Sequence, residues 1–154
     1  MSALITIEKC PVGVMFAHIA KGRYSMEKGD HSSAKEQYEN ALKISIDEED
    51  VIRQKNILSY IATMYRVQGK ISKGLEVYDE AIDLHCDEGD VMCIKTTVKC
   101  LINKAYLVYE KSEYEEALQL FYTADSLMMD HGMSDSLYRV TIYNSMGNVY
   151  DKGR

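Results

Sequence analysis

The sequence predicts an all-α protein: one α-solenoid domain over residues 1–154, built of about seven helices stacked as antiparallel hairpins. A fourteen-residue pattern occurs three times, as GDHSSAKEQYENAL at 29–42, GKISKGLEVYDEAI at 69–82 and SEYEEALQLFYTAD at 112–125. Each copy places a small residue (Ala34, Gly74, Ala117), an aromatic four residues later (Tyr38, Tyr78, Phe121) and an alanine three after that (Ala41, Ala81, Ala124). Steps of three, four and seven lie on one helix face, and a small–large–small order lets a neighbouring helix approach while the ring fills the gap beside it. The period is 40 and then 43 residues, with a further step of 42 from Ala105 to Gly147. Such periods define a solenoid, because one hairpin cannot bury its apolar face alone.

Residues 1–10 are expected as an extended lead-in, with Pro11 in the first turn of a helix, where its missing N–H costs nothing. That helix runs to about Lys28, turns at Gly29–Asp30, and its partner continues to about Ile46, giving a first unit over 11–47. The acidic run Asp47–Asp50 forms a solvated joint and favours the amino end of the next helix. In the second unit, 48–88, NILSYIATMY at 56–65 marks the first helix and Gly69–Lys70 the turn. CDEGD at 86–90 then supplies a glycine stop and an Asp90 cap. The third unit, 90–131, has LINKAYLVY at 101–109 in its first helix. Ser112 and Glu115 match the capping-box spacing at its turn. DHGMSDS at 130–136 is another stop and start, and YNSMGNVY at 143–150 marks the first helix of a partial fourth unit, 134–154. A fourth hairpin without its second helix leaves an apolar face bare, so the array is expected either to continue beyond Arg154 or to be covered there by another chain.

The pattern resembles the tetratricopeptide repeat family in its long-repeat form. The second unit carries it best, with Leu58, Ile61, Ala62 and Tyr65, then Gly69, then Gly74, Tyr78 and Ala81, and the likeness covers about 13–154. The family's usual tryptophan is absent, Ser112 stands at a turn where glycine is usual, and the repeats exceed 34 residues. The resemblance implies a right-handed superhelix whose first helices line a concave groove. Matching positions here are Asn56, Ser59, Thr63 and Arg66, then Lys99, Ile102, Tyr106 and Tyr109, then Thr141, Asn144 and Asn148. Such a lining suits an extended peptide: amides bind its backbone, tyrosines stack on its side chains, and Arg66 or Lys99 pairs with a carboxylate. His18 and Gly22 replace the lysine and asparagine of the clamp by which family members hold a chaperone's carboxyl terminus, which disfavours that partner.

With 46% hydrophobic and 27% charged residues and one proline, the chain is a folded helical protein rather than a disordered one. Twelve tyrosines suit a thin two-layer array in which a ring is buried while its hydroxyl reaches water. The net charge of −6 argues against nucleic acid and anionic lipid and points to a basic or neutral protein partner. No secretory signal is legible at the amino terminus, and the longest apolar run, 12–20, is too short for a membrane span, so a cytoplasmic location is expected.

The sequence carries no catalytic constellation. Cys86, Cys93 and Cys100 recur every seven residues, but Gly89 and Asp90 separate Cys86 from the other two, and Cys93 and Cys100 stand about 10 Å apart on one helix. Reduced, buried thiols are expected, with no metal and no cofactor. His18, His31, His85 and His131 are scattered and pair with no nucleophile, and no glycine forms a phosphate loop. Met128, Met129 and Met133 read as core filling at a helix end. The expected function is noncatalytic: a module that binds a peptide or protein segment in its groove, as the sensory or scaffolding part of a larger regulatory protein. The alternative is self-association, a homodimer formed through the bare fourth helix.

Overall fold

The structure, a computed structural model, describes residues 10–133 and 137–153. Among these residues seven helices and no strand occur: α1 (Pro11–Glu27), α2 (His31–Asp47), α3 (Val51–Val67), α4 (Ile71–Asp83), α5 (Val91–Glu110), α6 (Tyr114–Asp130) and α7 (Leu137–Lys152). The expected lead-in before Cys10, the start signal at 134–136 and Arg154 lie outside the described residues. Each helix packs on its neighbours in sequence, so α1–α2, α3–α4 and α5–α6 are hairpins and α7 is a fourth first helix. First helices also meet across units, α3 with α5 and α5 with α7, whereas no two second helices pack comparably. The first helices therefore make the inner layer of an α-solenoid and the second helices its outer layer.

The repeated small–aromatic–small stripe does the work that its spacing implies. All nine of its positions are buried. Tyr38 joins Met15, Ile57 and Met64 in one apolar cluster, Tyr78 joins Leu58, Cys100 and Leu107 in the next, and Phe121 joins Val98, Leu101 and Ile142 in the third. Each cluster spans two units, so each hairpin completes its core on its neighbour. Gly22 of α1 shows how close the approach is: a Cβ there would lie 2.6 Å from Cε1 of Tyr38.

Asp30, Asp50 and Asp90 cap α2, α3 and α5, each accepting from a backbone N–H three residues on (3.0, 2.9 and 2.9 Å). The third turn corrects the expected capping box. Ser112 has φ +64°, the left-handed conformation that Gly29 and Gly69 hold at the other two turns, so it terminates α5 and its hydroxyl is not placed to begin α6. Glu113 is the residue that precedes α6, and it makes no side-chain cap.

The joint between the second and third hairpins departs furthest from expectation. Helix α4 has 13 residues against 17 in α2 and α6, stops at Asp83, and leaves with Leu84 in an extended conformation (φ −59°, ψ 125°). Its last carbonyls are capped by a side chain from another helix. Lys55 of α3 is fully buried, and its Nζ donates to the carbonyls of Ala81 (2.8 Å), Leu84 (2.7 Å) and Ile82 (3.4 Å). Cys86 thus lies in a linker that folds back on α5, and it is disulfide-bonded to Cys93, with Cα atoms 5.7 Å apart. This corrects the expectation of reduced thiols: spacing along one helix separates two cysteines, whereas a reversing linker brings them together. Cys100 is free and buried, and burial pushes its thiol up to about 11.

Three substitutions test this packing. Lys55→Met keeps the volume but removes the donor from three carbonyls, and is expected to cost about 2–4 kcal/mol in chemical denaturation. Gly22→Ala is expected to destabilise by about 1–3 kcal/mol through overpacking against Tyr38. Gly147→Ala, where a Cβ would meet nothing within 4 Å, is expected to stabilise α7 by about 0.5–1 kcal/mol.

Candidate functional site

The inner layer holds two adjoining depressions that share Tyr106. One, of about 240 Å³, lies between α3 and α5 and is lined by Thr63, Arg66, Tyr78, Asn103, Tyr106 and Glu110. The other, of about 280 Å³ between α5 and α7, is lined by Tyr106, Tyr109, Phe121, Ser145, Asn148, Val149, Asp151 and Lys152. Helical spacing explains the continuity, because Lys99, Asn103, Tyr106 and Glu110 fall in steps of four, three and four on one face of α5.

Polar contacts fix the walls. Arg66 pairs with Glu110 at 2.7 Å, tying the end of α3 to the end of α5. Asn103 Nδ2 donates to Ser59 Oγ at 3.3 Å, and Tyr106 is hydrogen-bonded to Ser145 of α7. Tyr106 also meets Phe121 edge to face, with ring centroids 5.6 Å apart. Tyr78 reaches the floor from α4, its hydroxyl 3.4 Å from Thr63 Oγ1, and burial raises its pKa.

Of the residues expected in the lining, Thr63, Arg66, Tyr106, Tyr109 and Asn148 border these depressions. Lys99, Thr141 and Asn144 are exposed on α5 and α7. Asn56 is half-buried and donates to Ile52 O of its own helix at 3.0 Å, and Ser59 lies beneath the surface at 6% exposure. Ile102 is corrected: at 5% exposure it belongs to the core cluster with Val98 and Phe121. Asn103, one residue on and about 100° round the helix, takes the place assigned to it. Tyr78, Asn103, Glu110 and Ser145 were not anticipated. Tyr78 comes from the second helix; Asn103 and Glu110 become legible once the stripe on α5 is stepped from Tyr106, and Ser145 stands on α7 42 residues on from Asn103.

Charge separates the two layers. The four first helices carry ten Lys and Arg against three Asp and Glu, while α2, α4 and α6 carry three against eleven. Part of the inner charge is spent on structure, since Lys55 caps α4 and Lys104 is paired with Asp79. Arg53 is likewise paired, with Asp50. Lys95 and Lys99, on the same face as Tyr106, have no ion pair among the described residues. A further, acidic hollow of about 600 Å³ lies between the start of α6 and the end of α7, bordered by Glu113, Glu115 and Glu116, and meets the second depression at Val149.

No three His, Cys, Asp or Glu side chains gather as a metal-binding group among the described residues, and no helix there is long and apolar enough to cross a membrane. Stacked hairpins with an open, polar and aromatic inner face define a helical-repeat scaffold of the tetratricopeptide-like kind. A family model described as "Soluble NSF attachment protein, SNAP" matches residues 17–139, and the chain belongs to that family. The tetratricopeptide resemblance thus holds for the fold, and the family is a different one. Among solved structures, the crystal structure of BtubC (BKLC) from P. vanneervenii is similar, with 19% identity and a TM-score of 0.77 over 92% of this chain. The likeness spans 57% of that protein's length. No curated protein matches.

Proposed function

We propose that this chain is a noncatalytic adaptor whose inner layer holds an acidic segment of a partner protein across α3, α5 and α7. The carrying observation is the charge division between the layers: inside a chain of net charge −6, the face with the two depressions is built from helices in which basic residues outnumber acidic ones by seven. This reverses the expectation of a basic or neutral partner, which rested on the charge of the whole chain. Lys95 and Lys99 supply positive charge at one end of the stripe. Tyr106 offers a half-exposed ring at its middle, and Asn144 and Asn148 are exposed amides suited to a peptide backbone. Membership of a family named for attachment supports an adaptor role.

A peptide array of fixed length and graded charge, probed with labelled protein, tests this reading. Acidic peptides are expected to bind, with affinity falling as salt rises. The double variant Lys95→Glu, Lys99→Glu should lose them by about tenfold or more, equivalent to about 1.4 kcal/mol, without a change in thermal stability. Preference for basic peptides, or unchanged binding by the variant, would sink the proposal.

A second reading, self-association through α7, rests on a separate observation. Val98, Leu101, Ala105 and Val108 of α5 are buried. Their counterparts 42 residues on, Val140, Tyr143, Gly147 and Tyr150, are exposed. An antiparallel pairing of this face with its own copy sets Val140 opposite Gly147, large against small. The solution mass by light scattering over a concentration series should then rise to that of a dimer, and Val140→Lys should abolish the rise. A constant monomer mass rules this reading out.

A further inference from the structure

We propose that the Cys86–Cys93 bond is a thiol–disulfide exchange site, acted on by a dithiol, that sets the stiffness of the joint between the second and third hairpins. The joint is unlike the one between the first and second hairpins. Between α2 and α3 the chain turns in three residues and closes on itself through backbone bonds from Glu48, Glu49 and Asp50 to Ile44, Ile46 and Ser45 (2.9, 3.0 and 2.9 Å). Between α4 and α5 it takes seven residues, and the end of α4 has no such closure. What holds this segment is long-range: the Lys55 ammonium on the carbonyls of Ala81 and Leu84 at one side, and the disulfide to the first turn of α5 at the other. The two fasteners are two residues apart at Leu84 and Cys86. One is buried and permanent, and the other is chemically reversible.

The two sulfurs differ in access. Cys86 is partly exposed in the linker, flanked by exposed His85 and Asp87, whereas Cys93 is 1% exposed. An incoming thiolate therefore reaches Cys86, forming a mixed disulfide, and the electron pair of the broken S–S bond leaves on the Cys93 sulfur. Cys93 is in the first turn of α5, where the helix amino end favours an anion. The second thiol of the dithiol then attacks the mixed disulfide and leaves as a cyclic disulfide. Cys86 and Cys93 gain two electrons and two protons, and the dithiol loses them. Cys100, the other cysteine of the run, stands apart: it is buried in the core with its Sγ 3.9 Å from the Lys55 carbonyl, and takes no part.

Once reduced, the linker from Leu84 to Gly89 keeps Lys55 at one end, a local turn bond from Asp90 N to Asp87 O (3.0 Å) at the other and only the weak contact of Cys86 Sγ with Thr97 (3.6 Å) between them, and the last turn of α4 opens more readily. This inference does not depend on the acidic-partner reading, because its readout is the joint itself. Native protein would be treated with dithiothreitol, alkylated and mapped by mass, with backbone hydrogen exchange followed in parallel. Expected results are alkylation at Cys86 and Cys93 with Cys100 protected, and exchange at 84–90 faster by about tenfold while the helices of the first hairpin are unchanged. Cys86→Ser, at the more exposed position, should show the fast exchange without reductant. A bond that resists dithiothreitol until the chain unfolds, or a reduced protein whose 84–90 segment exchanges as slowly as before, would overturn the proposal.

Discussion

The contact on which the array depends is an ammonium group at the end of a helix. Lys55 places a cation, fully buried, against the carbonyls that α4 leaves unpaired. Burial lowers its pKa, which is the signature of a charge taken from water. A buried cation with no partner would be costly; here the negative end of the α4 dipole and two close carbonyls offset that cost. The consequence reaches beyond one cap. Because α4 ends early and in an extended conformation, the chain can run as a linker instead of an immediate turn, and α5 starts where the Cys86 segment can fold back on it. The spacing of α3 and α5, and so the width of the cleft between them, is set at this joint and at the opposite end by Arg66 and Glu110.

That cleft combines features a bland solvated face lacks. A helix turned to water needs polar residues, but it does not need a tyrosine from the outer layer in its floor or a shared aromatic bridging two hollows. Tyr78 and Tyr106 supply those. The division of charge is also more than surface solubility requires, since acidic residues could have been scattered over both layers. On the proposed reading, a basic inner layer would attract a carboxylate-rich segment and orient it before contact. The Arg66–Glu110 pair is exposed on both sides, so it stabilises little, and on the proposed reading Arg66 would exchange Glu110 for a partner's carboxylate.

The fold was legible because the small–aromatic–small stripe is a local pattern with one physical solution. Ala34, Tyr38 and Ala41 predict their own burial, and the same holds for their repeats. The α4–α5 joint was not legible. Its cap comes from a lysine 26 residues earlier, and nothing in the local composition of 83–90 distinguishes a helix that ends by glycine from one that ends by a distant ammonium. Ile102 and Asn103 show the limit at the site: both lie within a turn of Lys99 and Tyr106, and only the position of α6 decides which faces the core. The charge division, by contrast, was present in the sequence. Summing charge over the whole chain concealed it, and counting helix by helix recovers it.

Helix α7 shows how a first helix is seated by the preceding unit alone. Ile142, Met146 and Val149 of α7 are buried against the third unit, so the helix is seated by its inward face alone. Its outward rim is fastened by polar contacts: Arg139 Nε donates to Asp125 at 2.6 Å, and the Tyr143 hydroxyl donates to the same carboxylate at 3.0 Å. The hydroxyls of Tyr122 and Tyr150 meet at 2.8 Å, which raises the Tyr122 pKa. The Tyr122–Tyr150 contact, exposed, adds little stability, whereas the Arg139–Asp125 pair is partly sheltered and holds the orientation of α7. Stability in such arrays is a sum of units and interfaces, so a helix that covers Gly147 would add the interface that Tyr38 provides for Gly22. Binding and stability are linked at this face, because whatever helix packs on it supplies contacts that the other three first helices already have.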